Sequence, residues 1–228
     1  MKKVTQILRS TRNTAIIVIV LGMATTLFGC TSAEPTDPST ESLSSISKTK
    51  DSPFNTLDDA EGWGNEADFL RIGDASESDT EIQLPDPFEG EFKLKAKGVY
   101  MLAIRIHNTS DKEQSGLALT IAHPETIKPE DKNQVSATLS WGGENPGLIV
   151  DQIGVKSQEC LITKLPSSAD GDGNVVISDG SGKQYWTKPM SATMEGTTSH
   201  IITLDSIGSV APDEVYTVFF FFGTFPDD

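Results

Sequence analysis

Apolar and polar positions alternate with a period of two along much of this chain. The clearest case is Val99–His107, where Tyr100, Leu102, Ile104 and Ile106 share one face. Val99, Met101, Ala103, Arg105 and His107 share the other, so that face is mixed. The polar run 108–116 ends in Gly116 and reads as a turn. The alternation then resumes in Leu117, Leu119 and Ile121, and again in Val135, Ala137, Leu139 and Trp141, before Gly142-Gly143 breaks it. Further strands are expected over 148–155, 159–165, 174–178, 183–187 and 199–204. Residues 218–222 read Val-Phe-Phe-Phe-Phe without polar alternation. They predict a strand buried on both faces, or one covered by a loop or a partner. No segment carries an apolar stripe of helical period over ten or more residues. Short strands at roughly 8–15-residue spacing, separated by Gly, Pro and Asp turns, predict an all-β fold, an antiparallel β-sandwich.

The N-terminus follows different rules. Lys2, Lys3, Arg9 and Arg12 precede an apolar run over 14–28 of about 15 residues, short for crossing ~30 Å of hydrocarbon. Leu27-Phe28-Gly29-Cys30 follows and resembles a bacterial lipobox, with Leu three positions before the Cys and a small residue next to it. Phe28 departs from the small or aliphatic residue usual there. The resemblance implies that residues 1–29 are a signal peptide and that the Cys30 thiol carries a diacylglyceryl group. Two acyl chains give a stable anchor where one does not. The alternatives are an uncleaved N-terminal helix and an ordinary secreted protein. Residues 30–55 are rich in Ser, Thr and Pro, bury too little to order themselves, and read as a tether. Residues 56–228 are then the sandwich domain.

Charge narrows the partners. The chain carries −15; four of its positive charges and none of its acids lie in residues 1–29, which leaves −19 on the rest. Such a surface repels phosphate backbones, so a nucleic acid partner is not expected. Cysteine adds little: with Cys30 lipidated, Cys160 has no partner in the chain, and its setting reads as a buried strand.

Three chemistries need weighing. Asp170, Asp172 and Asn174 place oxygen ligands at i, i+2 and i+4, as calcium loops do, but position 181 is Ser where an EF-hand needs Glu. The competing reading is a tight Asp-Gly turn. No cofactor other than calcium at this loop is expected. Trp63, Trp141 and Trp186 offer a sugar-stacking platform, with Asp151 and Asp179 as hydroxyl partners. Against this, Trp141 and Trp186 can simply fill the core, with Trp63 as a surface contact or a flap over the sheet edge. His107, His123 and His200 lack metal-ligand spacing. No Gly-x-Ser-x-Gly elbow is present. An enzyme is not expected; it would require the fold to join any two or more of His107, His123, His200 and Cys160 in a pocket.

One further resemblance concerns residues 68–222. The strand ending in His107-Asn108, its polar turn, the strand at 117–121, Cys160-Leu-Ile-Thr-Lys-Leu-Pro-Ser-Ser-Ala169 and the closing 207–218 segment resemble uncharacterised exported domains. Those are Ig-like β-sandwiches of actinobacterial and other Gram-positive cell-envelope proteins. The resemblance implies an Ig-like sandwich and a cell-surface location, and it carries no catalytic residues. The expected function is therefore that of a lipoprotein anchored on the extracytoplasmic face of the cell membrane, whose non-enzymatic domain binds or adheres to a protein or glycan partner. The alternatives are a glycan-binding module using the tryptophans and a calcium-stabilised surface domain.

Overall fold

A computed structural model describes residues 52–76, 90–143, 146–165, 175–205 and 207–227, all within the compact unit Ser42–Asp228. Among them there is no helix, and the fold is all-β. The strands are β1 (Leu70–Asp74), β2 (Glu91–Lys93), β3 (Val99–His107), β4 (Gln114–Ser115), β5 (Ala118–Pro124), β6 (Thr126–Ile127), β7 (Asn133–Trp141), β8 (Gly147–Lys156), β9 (Leu161–Lys164), β10 (Val175–Asp179), β11 (Gln184–Thr187), β12 (Met190–Met194), β13 (Thr197–Thr203), β14 (Ser209–Val210) and β15 (Val215–Pro226).

They form two main sheets. The first runs β1-β3-β15-β10-β11, with β9 pairing the end of β15 and β6 pairing β9. The second runs β12-β13-β5-β7-β8-β2. All of these pairings are antiparallel except β2 on β8, which is parallel and departs from the all-antiparallel expectation. The inward residues anticipated by the period-two rule meet between the sheets. Tyr100, Leu102, Ile104 and Ile106 of β3, with Val218, Phe220 and Phe222 of β15, pack against Leu119 and Ile121 of β5 and Val135, Ala137 and Leu139 of β7.

The unalternating Phe run is buried on both faces. Val218, Phe220 and Phe222 point into the sandwich, while Phe219 packs outward with Met101, Ala103, Val176, Ala60 and Trp63. The segment before β1 supplies that cover. It also moves the start of the packed domain: Phe54 and Asn55, assigned to the tether on composition, are buried. Phe54 bridges Asn108 and lies 5.4 Å from the Trp141 ring. Asn55 donates from Nδ2 to the Arg105 carbonyl and accepts the His107 N–H at Oδ1.

Candidate functional site

The described residues separate the sequence candidates. Cys30 and the Asp170/Asp172/Asn174 loop lie outside them. Trp63 and Trp141 are 2% and 5% exposed, so neither ring face is open to a sugar. Trp63 is a core ring of the outer layer, neither a surface contact nor an edge flap: its Nε1 donates to the Asp68 carbonyl and Arg71 stacks 4.1 Å from its centroid. Trp186 is the reverse case, read as core and found 63% exposed. It pairs with Val176, whose side chain faces outward on the first sheet, so Trp186 projects outward too. The three tryptophans therefore make no common platform.

The two aspartates considered with them have structural tasks. Asp151 on β8 is buried and accepts the Leu70 N–H, tying the second sheet to β1. Burial pushes its carboxyl up to about 6, partly offset by the Leu70 and Gln152 amides. Asp179 closes the β10–β11 turn by accepting from the Ser181 amide and hydroxyl and the Lys183 amide. The Ser181 hydrogen bond holds its carboxyl below the ordinary range. Cys160 is free, stands one residue before β9, and is only partly covered; it is not the buried strand residue expected. Its thiol is held above its ordinary value, by desolvation and by Asp227, so it is a poor nucleophile.

The fold does join two histidines. β5 and β13 pair so that His123 lies beside the inward row of Leu119 and Ile121, and His200 beside Ile202. Their Nε2 atoms are 2.9 Å apart and both rings are buried, stacked on each other, with Phe222 stacked on His123 and Phe220 tilted against His200. The donors can be assigned. Pro124 O, 3.0 Å from His123 Nδ1, can only accept, which places a proton on Nδ1, and burial lowers the ring's basicity and keeps it neutral. His123 Nε2 then accepts from His200 Nε2–H, and His200 Nδ1 accepts from the Ser191 hydroxyl at 2.7 Å. Thr163 Oγ1 closes the other end, 2.9 Å from His123 Nδ1. Burial lowers both basicities, bringing His200 down to about 4 with His123 adding to the effect. A ring this acidic is a weak base near neutrality, so the Ser191–His200–His123 chain ties β12, β13, β5 and β9 together and activates Ser191 little. Among the described residues no group of three or more His, Cys, Asp or Glu could hold a metal ion. The parity of the strands was the signal for this pair, but nothing in the spacing of 77 residues named the partner strand.

A second cluster was missed as well. Glu66 is fully buried, with Oε1 accepting from Arg105 Nε and lying against His107 Nδ1, both at 2.7 Å. It locks the segment before β1 onto β3.

β11 and β12 are end strands of the two sheets. Lys188 and Pro189 carry the chain from the last strand of one sheet to the last strand of the other. Every residue of β12 is exposed, and Met190 and Met194 are 50% and 54% exposed. The sequence matches no protein-family model, no curated protein and no solved structure. The reading of the site therefore rests on its geometry. Beyond Pro124, a shallow groove lined by Lys128, Asp131, Lys132 and Glu195 adjoins the β12–β13 turn, and its mixed charges select no ligand class.

Proposed function

We propose that this protein is a lipid-anchored, extracytoplasmic interaction protein, held at the cell membrane through Cys30, whose β-sandwich binds a protein partner without catalysis. The observation that carries the binding half is β12: an edge strand exposed along its whole length and bearing two half-exposed methionines. Edge strands left open in this way template pairing with another chain, and sheets that must stay alone blunt them. Large apolar side chains outside the core mark contact surfaces when they gather at one edge. The anchoring half is supported by the positive and then apolar leader and by Leu27-Phe28-Gly29-Cys30.

Two measurements test the halves separately. Cys30→Ala should move the chain from the membrane fraction to the soluble fraction and leave a larger, unprocessed form; a variant that stays membrane-bound at mature size removes the lipid. A photo-cross-linking residue at position 192 should give covalent adducts in intact cells, while the same residue at outward-facing Thr138 in mid-sheet should not. Equal yields at both positions would remove the edge as the contact.

A further inference from the structure

The geometry of β12 points to its occupant: we propose that the edge pairs with β12 of a second copy of this chain, across a two-fold axis at Ala192. The inference rests on the binding role proposed above and names the partner.

The register of backbone groups comes from the neighbouring strands. The Glu125 amide donates to Gly196 O and the Leu204 amide to Leu117 O, while β13 and β5 pair with Thr197 opposite Pro124. In an antiparallel ladder, alternate residues turn their backbone groups to opposite sides. Even-numbered residues of β13 therefore face β5, and Thr197, Ser199 and Ile201 face β12. Their partners Met194, Ala192 and Met190 use their amides and carbonyls on β13. Ser191 and Thr193 are left with both backbone groups aimed at open solvent.

Those two residues are complementary to themselves. Pairing β12 antiparallel to a second β12 about Ala192 sets Ser191 opposite the partner's Thr193, and Thr193 opposite the partner's Ser191. Four N–H to carbonyl bonds form. Ala192 then faces its own copy in the closely spaced, non-hydrogen-bonded position, where the two side chains interact directly. Met190 meets the partner's Met194 on the same face, twice by symmetry. Pro189, with no N–H, and Glu195, with a left-handed φ of 49°, stop the ladder at either end and fix this register. The second sheet becomes continuous through both copies, the two open edges are consumed, and the assembly closes as a dimer instead of growing.

Charge favours the same occupant. A domain carrying −17 over residues 56–228 repels its copy over most of its surface. From Gly180 to Met194 there is no Asp or Glu, and Lys183 and Lys188 are the charged residues. This acid-free window is the stretch that would lie at the axis.

The test uses full-length chains with two different affinity tags, co-expressed and purified in non-denaturing detergent. Wild-type chains should co-purify. Ala192→Glu paired with itself sets two carboxylates face to face and should reduce co-purification at least tenfold, while Ala192, being exposed, leaves the fold intact. Ala192→Glu with Ala192→Lys should restore it. Failure of wild-type chains to co-purify, or undiminished recovery of the Glu–Glu pair, overturns the proposal. Cross-linking from position 192 separates this from the broader reading: an adduct of twice the chain mass supports self-pairing, an adduct of another mass overturns self-pairing and leaves the binding edge standing, and no adduct overturns both.

Discussion

Acid should expose the His123–His200 pair. In the unfolded chain His200 takes a proton near its ordinary 6.5, whereas in the folded protein it resists until about 4. Between those values the unfolded state holds the extra proton, so stability is full above about pH 6.5 and falls as pH drops. The slope is about 1.4 kcal/mol per pH unit for one proton. At pH 5 that amounts to about 2 kcal/mol for a fully shielded ring, and to about 1 to 1.5 kcal/mol with solvent reaching the Ser191 side. His123 acts in the same direction. Asp151 opposes them: its carboxyl is raised to about 6 from 3.8, so its stabilising protonation is present at low pH and lost as pH rises through about 6. The wild type should therefore lose little between pH 8 and 5. His123→Leu/His200→Leu should remove the histidine term and make the protein gain about 1 kcal/mol over that interval. Asp151→Asn should do the opposite and steepen the loss. Urea midpoints followed by tryptophan fluorescence at the two pH values measure all three. A double-leucine variant with the wild-type pH slope would refute the assignment of two neutral buried rings.

Two other variants probe the strap and the tryptophans. Glu66→Ala leaves Arg105 and His107 without their shared carboxylate, and should cost about 3 kcal/mol with a red shift of Trp63 emission as the strap loosens; unchanged emission and midpoint would show that the strap holds by packing alone. Trp141→Ala should cost about 3 to 5 kcal/mol, whereas Trp186→Ala should change the midpoint by under about 0.5 kcal/mol and remove most acrylamide-quenchable fluorescence.

Period-two alternation made the central strands legible, because β3, β5 and β7 each present one apolar row to a single core. The 218–222 run was legible for a related reason: a strand with no polar face needs cover on both sides, and Trp63 and Ala60 supply the second cover. β12 was missed because Met-Ser-Ala-Thr-Met alternates in the wrong sense, with its apolar residues outward and Ser191 inward on His200. Glu66 could not be picked out of the neighbouring acids Asp58, Asp59, Glu61 and Asp68, since its burial depends on Arg105, 39 residues away. Cys160 shows how one residue matters: β9 begins at Leu161, and the thiol stays outside it.

The position of β15 has a bearing on how the domain comes into being. It pairs with β3, β10 and β9, and every one of them precedes it in the chain. Until residues 215–226 are available, β3 and β10 lack their shared neighbour and the first sheet has a gap at its centre. Folding of this sheet is thus deferred to the last strand, and its long-range contacts make it slow. For the exported protein proposed above, that order would ease passage through a membrane pore as an unfolded thread, since the first sheet cannot be completed while its final strand is still being threaded.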